Sequence, residues 1–315
     1  MKISELFEGG STEAQKKKRI TFYTICVTLA LLAVMLILLA MIGISNLIAQ
    51  NANKSTEQSE LALSIENTVS ASLGEDAIYS GTLLVLDSTN RYKGEDETVT
   101  VRNREGRPKT NTNGYVYTIS SPSANEDQDF RGTSEAIDAF NVMMKEFYAS
   151  KNDDNVCIIG AYAKDQRDTV APIYTSGNTF ELGYYFNYDN DKTDIRGIYG
   201  VEKYSWIYSN AHKYGFINLS APDGSGTGVF RYVGIPHATY IKTKGIDFDT
   251  YLEQLRAATP AEPLLMKVGK TTYASYFVSA AGEHLVPADY EYTVNGNNYD
   301  GYIITANITD TKVTK

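Results

Sequence analysis

Apolar positions change their spacing several times along the chain, and each spacing predicts a different element. From Tyr23 to Ile44 no side chain is charged, and Leu, Ile, Ala, Val and Met dominate. That matches the run of about 20 residues that crosses a bilayer core, so residues 20–48 are expected to form a transmembrane helix. The competing reading is a secretory signal, but its apolar region would be about 7 to 15 residues, and Ala49 to Ala52 is only an ambiguous cleavage site. Lys16, Lys17, Lys18 and Arg19 precede the span, whereas Asn46 to Gly74 holds a single lysine. The positive-inside rule therefore places residues 1–19 in the cytoplasm and the bulk of the chain outside the cell membrane.

Residues 49–75 are rich in Asn, Ser, Glu and Gln, which predicts a partly helical stalk with a weak capping signal from Ser55 and Gln58. The run Thr82 to Leu86 predicts a buried strand, and Tyr115 to Ile119 a second. Ile137, Phe140, Met144 and Phe147 recur every three or four residues, so a helix from Ser134 to Ser150 turns one face to the core. Val156 to Ile159 continues as a strand, and further helices are expected over Val201 to Lys213 and Phe248 to Ala257. After Pro260 the strand-like runs Tyr273 to Val278, Tyr290 to Val294 and Tyr302 to Ile308 alternate with Gly, Asn and Pro turns. Helices and strands do not alternate regularly, which predicts an α+β fold, an antiparallel sheet with flanking helices. The main domain is assigned to residues 76–258 and a small β appendage to 259–315.

Net charge is −9; the first 22 residues carry +2, leaving −11 outside. That balance speaks against a nucleic-acid partner. The two cysteines, Cys26 in the span and Cys157 far beyond it, cannot pair within one chain, so no disulfide scaffold is expected. Tyrosine is abundant, 24 residues, and clusters such as Tyr184, Tyr185 and Tyr188 suit half-buried strands better than sugar stacking.

Two motifs are specific: Trp206-Ile-Tyr-Ser-Asn-Ala-His-Lys-Tyr-Gly-Phe216 and Phe230-Arg-Tyr-Val-Gly-Ile-Pro-His-Ala238. Together with Glu135 to Gln166, they make residues 76–258 resemble the VanY-type D-alanyl-D-alanine carboxypeptidases, zinc enzymes that trim D-alanine from peptidoglycan stem peptides. The resemblance implies zinc ligands in Ser-x-His-x-x-Gly-x-Ala-x-Asp and a catalytic glutamate with a further histidine in Glu-Pro-Trp-His. Setting Gly183 on the family glycine puts Phe180 at the first histidine and Asn187 at the aspartate. Counting back from Phe230 puts Val229 at the second histidine and Gly226 at the glutamate. A shifted alignment, with Ser176 on the serine and Asn178 on the histidine, rescues nothing, because the chain has only His212, His237 and His284. Zinc needs nitrogen, sulfur or carboxylate donors, so no cofactor is expected. The arginine that grips the substrate carboxylate is replaced by Ala163, with Lys164 or Arg167 as partial substitutes.

A degenerate, non-catalytic carboxypeptidase-like domain is the expectation, binding a wall peptide or an envelope protein at a cleft rimmed by Tyr162, Gln166, Tyr185 and Arg231 over a dry floor. Two alternatives stay open. One is an active carboxypeptidase with zinc relocated to Glu181, Asp189 and His237; the other is a purely structural component. Other catalytic signatures are missing: Gly-x-Ser-x-Gly, Ser-x-x-Lys, a phosphate loop and His-Glu-x-x-His. Gly224 to Gly228 precedes a strand rather than a helix and reads as a turn.

Overall fold

In a computed structural model, residues 63–95, 97–100, 109–111, 114–116, 130–153, 155–163, 171–187, 194–220 and 226–309 are described. The expected cytoplasmic tail and membrane span lie outside them, as do Lys164, Gln166, Arg167 and Asp189. Among the described residues no helix is long and apolar enough to cross a membrane.

The strands, in chain order, are β1 Thr68–Ala71, β2 Val99–Thr100, β3 Lys109–Asn111, β4 Gly114–Val116, β5 Phe130–Gly132, β6 Val156–Gly160, β7 Tyr162–Ala163 and β8 Thr179–Asn187. They continue as β9 Asp194–Gly197, β10 Phe216–Ser220, β11 Gly226–Tyr232, β12 Leu264–Val268, β13 Thr271–Ser279, β14 His284–Pro287, β15 Tyr292–Gly296 and β16 Gly301–Asn307. The helices are α1 Ser134–Lys151, α2 Ser205–Asn210, α3 Ile235–Lys244 and α4 Phe248–Ala257. The mixed helix-and-sheet class expected from the sequence holds, and its sheets are antiparallel.

The central sheet runs β10-β11-β8-β6, with β9 also paired to β8. Across one face lies α1. Thr133 caps its first turn by accepting from the Ala136 N–H, and Asn152 ends it in the left-handed conformation at φ 49°. The stripe Ala136, Phe140, Met143, Met144 and Phe147 is buried against Val156, Ile158, Phe180, Leu182, Phe216 and Phe230. The opposite face, at the β10-β11 end, packs Ile217 and Val233 on α3, α4 and the C-terminal sheet, where Met266 and Ile303 join Tyr251 and Leu255. This shared core crosses the expected boundary at 258/259.

The C-terminal sheet runs β12-β13-β16-β15. Residues 63–75, expected in a stalk, instead pack on it: Ile65 is buried, and β1 pairs with β14 from Thr68↔Pro287 to Ala71↔His284. The apolar residues Ile65 and Ala71, sparse among polar neighbours, find their core here rather than in a helix. The expected strand at Thr82 to Leu86 is also corrected. Leu83, Leu84 and Leu86 are buried, but the segment joins no ladder, and the Leu84 carbonyl serves a side chain, Arg231. The expected helix from Val201 to Lys213 is broken into a 3-10 turn, α2 and a second 3-10 turn at Ala211–Tyr214. One helix not foreseen, α3, buries only Ala238, Ile241 and His237, too few for a periodic signal.

Candidate functional site

The two specific motifs are packing devices. In the first, Asn210 donates to the Trp206 carbonyl at 2.8 Å and accepts from Lys213 Nζ at 2.8 Å. Gly215 then turns the chain at φ 86°, and a Cβ there would lie 2.6 Å from the Tyr232 ring, so only glycine fits. In the second motif β11 runs through Gly234, at φ 87°, into α3 with Pro236 in its first turn. That turn buries His237 against the C-terminal sheet.

His237 and His284 are held by hydrogen bonds, while the buried Nδ1 of His212 has no partner among the described residues. His237 Nδ1 meets the Tyr251 hydroxyl, and Nε2 lies 3.4 Å from Thr305 Oγ1. A neutral ring protonated at Nε2 satisfies both contacts. Burial alone holds its pKa down to about 3. His284 accepts from the Leu73 N–H at 3.3 Å through Nδ1, and its Nε2 lies 3.2 Å from the Ala280 carbonyl. His212 is lowered by burial first and then by Lys242 and Lys213. The relocated zinc site is therefore not assembled around His237, whose two ring nitrogens are both engaged inside the core. Among the described residues no three His, Cys, Asp or Glu side chains cluster to hold a metal.

Strand geometry decides where the replaced positions point. Cross-strand partners share a face of a sheet and successive residues alternate. Phe180 pairs with Phe230, and both are fully buried on the α1 face. Its ring centroid lies 5.4 Å from Phe140 and 6.2 Å from Phe216. Val229 pairs with Glu181, so both belong to the opposite face. Phe180 and Val229 thus do not form one cleft floor as expected; the alternation puts Phe180 in the hydrophobic core. Gly226 opens β11 opposite Ser220, and Asn187 ends β8 opposite Asp194, beyond an irregular register. Phenylalanine, valine and glycine side chains offer no donor, so these positions do not fit the zinc ion that the resemblance implies.

The face shared by Val229 and Glu181 carries the remaining polar chemistry. Glu181 is half-buried and accepts from the Tyr174 hydroxyl at 3.4 Å. Gly160 lets this carboxylate approach: a Cβ there would sit 2.8 Å from Glu181 Oε2. Burial first, then the Glu181 charge, pushes the Tyr174 phenol upward. The sequence offers Glu181 only as a relocated ligand and gives no signal for Tyr174; both the Gly160 and Tyr174 neighbours are set by the sheet register and the turn before β8.

Of the four residues expected at a rim, Tyr162 and Arg231 are each only 2% exposed. Tyr162 is enclosed where β7 pairs with β5. Arg231 donates to the Leu84 carbonyl at 2.5 Å and lies over the Phe248 ring at 4.7 Å, staking residues 82–84 to the sheet. Desolvation lowers its pKa to about 10. Neither lies on an exposed rim, because both are consumed in joining loops and strands to the core. The Tyr185 backbone pairs with Ile195, while Gln166 lies outside the described residues.

These features define an α+β scaffold in which the positions aligned with the metal ligands are split between the two faces of the central sheet. The same fold occurs in a solved vancomycin resistance D,D-dipeptidase, VanXYg, in complex with a D-Ala-D-Ala phosphinate analogue: TM-score 0.53, 17% identity, 76% of this chain and 99% of that one. A curated D-alanyl-D-alanine carboxypeptidase from Enterococcus faecium is 24% identical over 255 residues, covering 76% of this chain and 80% of that protein. VanYB in complex with D-alanine-D-alanine aligns with a TM-score of only 0.33 at 16% identity, over 55% of this chain and 97% of that one. No family model matches. The chain is thus similar in sequence to a D-alanyl-D-alanine carboxypeptidase and in fold to a D,D-dipeptidase.

Proposed function

We propose that this protein is a membrane-anchored, extracytoplasmic carboxypeptidase-like domain that binds a cell-wall stem peptide without cleaving it. What supports this reading is Phe180, which the sequence resemblance aligns with the first zinc-binding histidine and which is fully buried inside the α1 core. Zinc-activated water is the nucleophile of this chemistry, and Val229 and Gly226 supply neither a ligand nor a base. The relative's name and the dipeptide analogue held by VanXYg support a D-alanyl-terminated peptide as ligand. The remaining polar face, with Glu181 and Tyr174, offers an acceptor and a phenol to such a peptide.

The test is calorimetric titration of the full-length chain, purified in mild detergent, with a stem pentapeptide ending in D-Ala-D-Ala, alongside its zinc content. Saturable binding without stoichiometric zinc is expected. No binding would favour a structural envelope component, and stoichiometric zinc would favour an active peptidase. Anchoring is checked separately: protease added to intact cells should remove the bulk of the chain and leave an N-terminal fragment in the membrane.

A further inference from the structure

A groove of about 650 Å³ lies between the first turn of α3 and the outer edge of the C-terminal sheet. It shares no residue with Phe180, Asn187, Val229 or Gly226. Strand β15 is the last in its sheet, and residues 291–295 line this space together with Tyr273, Thr305 and Asn307.

The hydrogen-bond phase of that edge can be read directly. The Asn307 N–H donates to the Glu291 carbonyl, so residues 291, 293 and 295 direct their backbone groups to β16, and 292, 294 and 296 direct theirs outward. Gly296 shows the consequence: its N–H donates outward to the Ser80 carbonyl at 2.7 Å. The chain then leaves the edge, with the Thr82 N–H caught by Asn295 Oδ1 at 2.9 Å and Leu83 entering the core. Beyond that point the outward N–H and C=O groups of Tyr292 and Val294 make no hydrogen bond to any described residue.

The walls point to what pairs there. Tyr292 and Ile235, 37% and 41% exposed, are two of the few large apolar side chains left open, and both line the groove. Its charged groups are Glu135 and Glu291, and no lysine or arginine lines it. Glu135 is held in place by the Tyr232 hydroxyl at 2.7 Å. Exposed strand edges are ordinarily blunted by lysine, proline or a covering segment; residues 78–82 cover the Gly296 end of β15, while the Tyr292–Val294 stretch carries neither lysine nor proline and has no segment paired to it among the described residues. An edge left open at Tyr292 and Val294, beside an acidic and partly apolar groove, is an arrangement that recognises an added strand.

We propose that the groove binds an extended peptide segment bearing lysine-type ammonium groups, which pairs with Tyr292 and Val294 on the edge of β15 and sets its amines against Glu135 and Glu291. This does not rest on stem-peptide binding at the other face.

The test is fluorescence anisotropy of the full-length chain in mild detergent with a labelled synthetic hexapeptide alternating lysine and valine. Two control peptides carry glutamate for lysine, or methyl groups on alternate backbone nitrogens. Two protein variants are compared, Val294→Pro, which removes an outward N–H and alters a side chain packed on the C-terminal core, and Glu135→Gln combined with Glu291→Gln. Saturable binding of the lysine peptide is expected, weakened about tenfold or more by backbone methylation or by Val294→Pro, which block the ladder hydrogen bonds, and by the double glutamine variant, which removes the charge-assisted ones. The glutamate peptide should not bind. Equal binding of all three peptides, or no saturable binding, overturns the proposal. So does a concentration-dependent dimer that Val294→Pro abolishes, which would assign the edge to a second copy. If Val294→Pro lowers the melting temperature, the methylated peptide on the unaltered protein decides.

Discussion

Replacing Phe180 by alanine tests whether this side chain belongs to the core or to a cleft. The ring is fully buried and packed against Phe140 and Phe216, and Gly132 is so close that a Cβ there would sit 2.8 Å from it. Walls on three sides, from α1, β10 and β5, leave little room to collapse, so the cavity persists. A buried Phe→Ala change costs about 3–5 kcal/mol, and the enclosed site places this one toward the upper end. For a unit of this size each kcal/mol lowers the melting temperature by about 2–4 °C, so a fall of about 10 °C or more is expected by thermal denaturation. Urea unfolding monitored by circular dichroism should give the same loss with an unchanged slope. A loss below about 1 kcal/mol would place Phe180 at an open surface and refute its assignment to the core.

The combined reversal Phe180→His, Asn187→Asp, Val229→His and Gly226→Glu should still bind no zinc, because positions 180 and 229 face opposite sides of the sheet; stoichiometric metal after dialysis would refute the face assignment. His237 has a folded pKa of about 3, below the 6.5 of an unfolded histidine, so the unfolded chain takes up the proton first as pH falls. Its stabilising contribution is complete above pH 6.5 and is lost between 6.5 and about 3, at up to about 1.4 kcal/mol per pH unit. In His237→Gln this part of the slope should vanish in urea titrations from pH 7 to 4, and an unchanged slope would contradict the burial argument.

Much of the fold could be read from residue spacing. The α1 stripe from Ile137 to Phe147, its boundaries, and β6, β13 and β16 followed from periodicity because each packs a single regular face. The apolar run at 82–86 misled because burial there serves a loop clamped by Arg231, and apolar runs do not say whether the backbone joins a ladder. Helix α3 was hidden because its buried side includes a histidine whose partners, Tyr251 and Thr305, lie far along the chain. The replaced site was legible as a set of positions but not as a geometry. Aligning Phe180 and Val229 to ligand positions gives no face, and the face is set by the pairing Phe180↔Phe230 and Val229↔Glu181. For the same reason the sequence suggests Arg231 as a ligand contact, whereas its guanidinium is spent on backbone carbonyls.

The central claim, a carboxypeptidase scaffold that binds without cleaving, is tested most directly by D-alanine release. The full-length protein in mild detergent is incubated with a stem pentapeptide ending in D-Ala-D-Ala, with added zinc and with chelator, and free D-alanine is quantified against a no-protein control. The account predicts no release above that control in either condition. Release in the presence of zinc that chelator abolishes would contradict it and restore the chain to the active peptidases.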